Sequence, residues 1–355
     1  MSAIIIGTGS SLPSQIIDNT YFENFSFYTK KGLPIDKPGK EIVEKLETIS
    51  GIKERRFIAA DESSLDILYE AALNAIEDSG LDMNQLDAII IGHNSGNMLA
   101  NKGETFSPVP NMAALLKNRL NITNYECVAY DILFGCPGWV QGSIQANRLI
   151  QTGEAKHVLV CGVEVASRLL DPHDMDSMLM GDGCGAVVYS ADEDKEKGIL
   201  ATATFSHGLG DLNNITLGNS LNSETSGEIF FKMNGREVYR YATTWVPKVI
   251  QKALDKVGLT PNEIDMFFFH QANAKMLDAI AYNLMKIYGQ HKEIYSHKIP
   301  SCIEFTGNTS VATVPTLLDL VNKGKMEGFE LKAGQKYVFA SVGAGMHCNA
   351  FVYQN

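Results

Sequence analysis

One pattern occurs twice in this chain, and it restricts the fold more than any other feature. Gly80-Leu81-x-x-Asn84-x-x-Asp87, followed by Ala88-Ile89-Ile90-Ile91, returns as Gly258-Leu259-x-x-Asn262-x-x-Asp265, followed by Met266-Phe267-Phe268-Phe269. Farther along, Cys184-Gly185-Ala186-Val187-Val188-Tyr189 is echoed by Cys348-Asn349-Ala350-Phe351-Val352-Tyr353. Two echoes in the same order and at similar offsets indicate a duplicated unit. The halves are predicted to be 1–190 and 191–355, joined at the charged turn Asp192-Glu193-Asp194-Lys195-Glu196-Lys197.

Within each half, short runs rich in β-branched residues alternate with helical patterns. Strands are predicted at Ala3–Ile6, Ala88–Ile91, Val158–Cys161, Ala186–Tyr189, Met266–Phe269, Lys336–Ala340 and Ala350–Tyr353. These runs are continuously apolar, as strands buried on both faces must be. Helices are predicted at Ser64–Ser79, Asn111–Leu120, Gly138–Gln151, Val238–Val257, Ala274–Tyr288 and Val314–Lys325. Such alternation gives an α/β layered fold.

The composition, 45% hydrophobic and 20% charged over 355 residues, is that of a globular chain with a core large enough to need no disulfides. The six cysteines form no Cys-x-x-Cys pair and no zinc spacing, so neither a metal nor another cofactor is expected, and a reducing, cytoplasmic setting is. No run approaches the ~20 apolar residues of a membrane span, and no signal peptide is expected. The net charge of −11 argues against nucleic acid as a partner. Between Lys232 and Lys298, however, ten Lys/Arg face six Asp/Glu, a local excess of positive charge suited to an acidic partner or to an ordinary solvated helix face.

Four segments carry candidate chemistry. In Asp131-Ile132-Leu133-Phe134-Gly135-Cys136-Pro137-Gly138-Trp139 a strand ends and a helix begins just past the cysteine. There Cys136 meets the positive end of a helix dipole and unpaired N–H groups, both of which favour thiolate. His270 follows the strand Met266–Phe269, at the end where open α/β sheets place their chemistry. Its counterpart in the first half is Gly92, so the unit does not need histidine for packing. Asn308 sits in the turn Phe305-Thr306-Gly307-Asn308-Thr309-Ser310, and Ser341-Val342-Gly343-Ala344-Gly345 is a small-residue loop that allows close backbone approach. Each segment alone also has a purely structural reading: a buried helix-start thiol, a core histidine, a turn asparagine, a glycine turn.

Together the four segments resemble the β-ketoacyl-acyl-carrier-protein synthase III family of the thiolase superfamily. The resemblance begins with Ile6–Pro13 and Ser50–Arg56, and continues through Cys136, Gly181–Ala186, His270-Gln271-Ala272-Asn273, Gly307–Ser310 and Gly343–Gly345. It implies a thiolase fold, with duplicated halves stacked as α-β-α-β-α layers, and a homodimer. It also implies an acyltransferase that needs no cofactor and acts on acyl thioesters with an acyl carrier protein as partner. Cys136 would store the acyl group. His270 and Asn308 would hold the extender's thioester oxygen during a decarboxylative Claisen condensation. The backbone N–H groups of Cys136 and Ala344 would form the oxyanion hole, and Lys275 would help dock the carrier, with Lys232, Arg236, Lys248 and Lys286 as companions.

The sequence also departs from the pattern. Relatives that prime with acetyl-coenzyme A carry a tryptophan and two arginines where this chain has Lys45, Ile49 and Met175. A donor carried on protein rather than held by its nucleotide is therefore expected. The stretch Asn97–Thr105 is longer than usual, and Cys136-Pro137-Gly138-Trp139 replaces the usual Cys-Ala-Gly-Phe; both are expected to reshape the acyl tunnel. Two alternatives follow from the resemblance: a ketosynthase joining two acyl thioesters into a cyclohexanedione for dialkylresorcinols, and an acyltransferase forming an ester or amide.

Overall fold

The structure, a computed structural model, describes residues 1–101, 106–225, 227–290 and 296–355. The first half supplies β1 (Ser2–Ser11), β2 (Gln15–Asp18), α1 (Gly39–Ser50), β3 (Glu54–Phe57), α2 (Ser64–Ser79), β4 (Ala88–His93), β5 (Asn97–Met98), β6 (Phe106–Ser107), α3 (Met112–Arg119), β7 (Val128–Leu133), α4 (Gly138–Thr152), β8 (His157–Glu164) and β9 (Gly183–Asp192). The second supplies β10 (Gly198–Ser206), β11 (Ile215–Gly218), β12 (Phe230–Met233), α5 (Gly235–Asp255), β13 (Met266–Phe269), α6 (Ala274–Ile287), α7 (Ile303–Thr306), α8 (Thr313–Asn322), β14 (Lys336–Gly343) and β15 (His347–Gln354).

Two sheets organise these elements. The first has the order β1-β9-β8-β4-β7, with β8, β4 and β7 parallel and β9 and β1 antiparallel. Among the described residues the second has the order β10-β15-β14-β13, again with a parallel pair, β13 and β14, followed by antiparallel strands. Successive strand residues point to opposite faces, and every face is covered. Ile89 and Ile91 pack on α2 and α3, while Ile90 faces the middle layer of α4 and α8. Across that layer lie Phe268 and Phe339, whose neighbours Phe267, Phe269 and Val338 pack on α5 and α6. The result is α-β-α-β-α, the layering of the thiolase fold, and it explains why the strands read as unbroken apolar runs.

The repeated motif does the same structural work twice. Gly80 and Gly258 take left-handed φ values of 65° and 66° at the ends of helical turns, a conformation glycine adopts without a Cβ penalty. Asp87 then ties its strand to the neighbouring parallel one by accepting from the N–H groups of Lys156 and His157. Asp265 does likewise at Lys336. The spacing is kept because it sets the register of a buried parallel pair, where a slip by one residue would reverse both faces.

Trp139 corrects one expectation. Its indole is fully buried in the middle layer, 6.0 Å from the Phe339 ring and 6.1 Å from Phe351, and donates to the Val160 carbonyl at 3.3 Å. It fills the core between the sheets, where losing a ring of this size costs roughly 3–5 kcal/mol, and it is not among the residues that line the cavity at Cys136. Of the long stretch Asn97–Thr105, residues 102–105 lie outside the described residues.

Candidate active site

Cys136 sits between the end of β7 and the start of α4, and two glycines fix it there. Gly135 has φ 67°, and a Cβ on it would lie 2.7 Å from the Ala344 nitrogen. A Cβ on Gly343 would lie 2.6 Å from the Cys136 nitrogen. The small-residue loop after β14 is therefore pressed directly onto the backbone of the cysteine elbow. Pro137 precedes the first turn of α4 rather than joining it, with φ −75° and ψ 8°. The helix end does not make the thiol acidic by itself. Burial pushes Cys136 up to about 11, and Glu164 adds to this, while a hydrogen bond from Ser310 pulls the other way. Desolvation of the charged form is the largest influence on this thiol.

His270 follows β13, and its backbone N–H donates to the Ala340 carbonyl of β14 at 2.9 Å. Its Nδ1 lies 2.8 Å from Thr313 Oγ1, at the start of α8. Burial holds the imidazole down to about 4, so it is neutral near pH 7. The counterpart Gly92 has no room for a side chain, because a Cβ there would lie 2.9 Å from the Gly138 carbonyl carbon. The two halves thus use one position differently, for close packing in the first and for a functional group in the second.

Asn308 is pinned on both sides of its backbone. Its N–H donates to Leu179 at 2.8 Å, and its carbonyl accepts from Gly181 at 3.0 Å. Gly181 must be glycine, since a Cβ would lie 2.4 Å from the Thr306 carbonyl oxygen. Next to it the buried carboxylate of Asp182 gathers three loops, accepting from the N–H groups of Ser167 and Ile58 and from the Ser167 hydroxyl. The Ser310 N–H donates to Asn308 Oδ1 at 2.9 Å, which fixes the amide's orientation. Among the described residues Asn308 Nδ2 has no protein partner.

Cys136, His270 and Asn308 line one cavity together with Met180, Ile215, Phe231, Met233, Val238, Ala272, Met276 and Val342. Its volume is about 20 Å³, room for little more than one water molecule. A second cavity of about 180 Å³ adjoins it, sharing Met180, Ile215 and Phe231 and reaching Ala344, Glu164 and Asn94. A larger cleft, about 830 Å³, runs past Asp192 and Asn355 and shares no residue with this site. Among the described residues no cluster of His, Cys, Asp and Glu is arranged to hold a metal ion, and no helix is long and apolar enough to cross a membrane.

Sequence reasoning missed part of the site. The hairpin β11–β12 covers it, pairing Ile215 with Met233 and Leu217 with Phe231; the alternation in those short runs was the available signal. Ser310, Asn94 and Glu164 form a polar group beside the cysteine that no local pattern indicated. The docking candidates separate as well. Lys275 is exposed at the start of α6, next to the cavity-lining Met276. Lys232 is not available for docking, because its ammonium is bound to the fully buried Asp171 and lies 3.5 Å from Asp174. Lys248 lies over the Trp245 ring at 4.1 Å, while Arg236 and Lys286 are exposed.

Comparison with known proteins bears on the whole chain. Residues 130–208 match the family model 3-oxoacyl-[acyl-carrier-protein] synthase III, and residues 254–355 match the model of that family's C-terminal part. A β-ketoacyl-[acyl-carrier-protein] synthase III of Staphylococcus saprophyticus is 32% identical over 98% of this chain and 96% of its own. One from Vibrio vulnificus is 34% identical over 97% of each. The crystal structure of 3-oxoacyl-[acyl-carrier-protein] synthase III from Aquifex aeolicus superposes with a TM-score of 0.81 at 28% identity, covering 99% of this chain and 100% of that one.

Proposed function

The chain belongs to the 3-oxoacyl-[acyl-carrier-protein] synthase III family of acyl-transferring condensing enzymes, and from that premise we propose that Cys136 is its nucleophile and that His270 and Asn308 receive the extender's thioester oxygen. The observation that carries this reading is the single enclosed cavity lined by all three. The halves 1–190 and 191–355 then contribute the nucleophile and its two partners respectively.

Cys136 attacks the thioester carbonyl of the donor, the new C–S bond forms, and the departing thiol takes the proton that Cys136 gives up. Covalent storage divides one difficult step into two. A malonyl-type thioester follows. Its carboxylate leaves as carbon dioxide, and the electron pair of the broken C–C bond moves onto the thioester oxygen as an enolate. Asn308 Nδ2–H and His270 Nε2–H donate to that oxygen. For Nε2 to carry the proton, the Thr313 hydroxyl must turn its single hydrogen from the Ser310 carbonyl, 3.0 Å away, to Nδ1 at 2.8 Å. The enolate carbon then attacks acyl-Cys136, whose carbonyl oxygen is held by the N–H groups of Cys136 and Ala344; the new C–C bond forms, the C–S bond to Cys136 breaks, and the expelled thiolate takes a proton from solvent. The tight contact of Gly135 and Gly343 with these backbones supports that assignment. One preorganised donor of this kind is worth about 3 kcal/mol in rate.

The donor we propose is an acyl chain on carrier protein. Three observations support it. Lys45 and Ile49 are exposed on α1 and form no clamp. Met175 packs against an apolar cluster that includes Phe22 and Phe27. The segment around Tyr28 is fastened over the Asp171–Asp176 loop by Tyr28 N–H to His173 O at 2.9 Å and by Lys30 to Asp174 and Asp176 at 2.8 Å. The positions where the family resemblance implies a tryptophan and two arginines thus carry two exposed residues and a packed methionine, with no aromatic platform or guanidinium among them. Lys275, exposed beside the site, supplies positive charge for the acidic carrier. Intact-mass analysis after exposure to acyl thioesters tests both points. Acylation of Cys136 is expected from carrier-borne chains and only slowly from coenzyme A, and Lys275→Glu should slow the first without changing acylation by a short pantetheine thioester. Absence of any acylated species would remove the reading.

A homodimer fits the exposed edge of the first sheet. Among the described residues β7 pairs with β4 alone and leaves Val128 51% and Leu133 71% exposed, with Tyr125 98% exposed nearby. An apolar edge strand of this kind invites pairing with a second copy. Sedimentation equilibrium at micromolar concentration should give twice the chain mass, and a monomer would refute the assembly. The six unpaired thiols suit the cytoplasmic setting expected above. No feature of the site favours the cyclohexanedione-forming or ester-forming alternatives.

A further inference from the structure

Ser310 touches all three residues of the site. Its N–H donates to Asn308 Oδ1 at 2.9 Å. Its carbonyl accepts from Thr313 Oγ1 at 3.0 Å, and that hydroxyl lies 2.8 Å from His270 Nδ1. Its own hydroxyl lies 3.2 Å from Cys136 Sγ. To do this Ser310 holds a left-handed φ of 51°, strained for a residue with a Cβ and typical of functional positions.

The direction of the hydroxyl is set from behind. Asn94 Nδ2 lies 2.9 Å from Ser310 Oγ. An amide nitrogen can only donate, so it occupies a serine lone pair and leaves the serine hydrogen for an acceptor, the sulfur or the Glu164 carboxyl that also reaches this hydroxyl. Asn94 is in turn held by the buried carboxyl of Glu164, which also accepts from Ser95 at 3.1 Å. Asn94 and Ser95 sit just past β4, where His93 is locked between the Gly96 N–H and Asp131. A chain of contacts therefore runs from Glu164 through Asn94 and Ser310 to the sulfur.

We infer that the Ser310 hydroxyl, aimed by Asn94 and Glu164, is the donor that stabilises the Cys136 thiolate when it attacks the donor thioester and again when it is expelled during condensation. This rests on Cys136 being the nucleophile. Ser310 acts on a reacting atom; Asn94 and Glu164 are positioning residues. The serine keeps its proton throughout, since the proton lost by Cys136 leaves with the departing thiol. The bond is strong to a sulfur anion and weak to acyl-sulfur, so it favours the two charged moments over the stored intermediate. The titratable groups facing the sulfur are Glu164, whose charge would oppose the thiolate, and neutral His270 across the cavity.

The test is the pH dependence of Cys136 alkylation by iodoacetamide, read by peptide mass spectrometry on the full chain. Ser310→Ala keeps the backbone bonds to Asn308 and Thr313 and removes only the hydroxyl. The midpoint of its profile should rise by about one pH unit, the tenfold effect of one hydrogen bond to a charged group. Ser310→Gly removes the same hydroxyl and relieves the backbone, so it serves if the alanine variant does not fold. Asn94→Ala should shift the midpoint the same way by less. Glu164→Gln keeps an acceptor for Asn94 and removes the charge that opposes the thiolate, so its midpoint should lie at or below the parent's. Profiles for both Ser310 variants that superpose on the parent's would overturn the inference while leaving the nucleophile in place. A Cys136 that is alkylated in every variant but never acylated by a thioester would instead overturn the function it rests on.

Discussion

Replacing Cys136 with alanine is expected to abolish acyl storage and condensation, by on the order of 10,000-fold or more, while carbon dioxide release from a malonyl thioester continues. The two outcomes separate because the two half-reactions use different atoms. Storage needs the sulfur. Decarboxylation needs only a polarised thioester oxygen, which His270 and Asn308 supply from the second half of the chain. Labelled carbon dioxide should therefore appear without β-ketoacyl product, and intact mass should show no acyl adduct. Should the variant still condense, another thiol would have to be the nucleophile. The remaining five cysteines are all buried, and none of them lines the cavity with His270 and Asn308. Product from Cys136→Ala would therefore be direct evidence against the site described above.

The sequence shows where the nucleophile is but not how its environment is assembled. The repeat, the buried strands and the cysteine elbow are all encoded within a few neighbouring residues, as periodicity, helix-start chemistry and glycine placement. The repeated Asp87 and Asp265 are legible in the sequence because each recurs at a fixed spacing before a strand whose pairing it fixes. The Ser310 hub could not be read this way. Its contacts run to Asn94 and Cys136, far away in the chain, and only the packing of α8 between the sheets brings them together. Lys232 misled for the same reason. Its charge is visible in the sequence, but the buried aspartates that bind it come from a loop of the other half. The strand β10 and the hairpin over the site were missed because their residues are only partly buried, so their apolar pattern is broken.

His270→Ala is expected to reduce malonyl decarboxylation by 100- to 1,000-fold, the usual effect of losing one donor to a developing oxyanion. Cys136 acylation should be affected far less. If His270 and Asn308 serve the same oxygen, the double variant His270→Ala/Asn308→Ala should fall short of the product of the single losses, since a group acting as a unit is lost only once. The same histidine leaves a mark on stability. Its folded value lies near 4, below the ordinary 6.5, because burial disfavours the charged form. The unfolded chain therefore binds a proton at this position before the folded chain does. Stability from this residue is complete above pH 6.5 and declines as the pH falls toward 4, by roughly 3 kcal/mol over the whole interval. Urea unfolding of the parent should show that decline between neutral pH and pH 4.5, and in His270→Ala the curve should be correspondingly flatter. Equal slopes in the two proteins would mean that His270 is solvated, and a solvated imidazole would have no preorganised position from which to donate to the enolate.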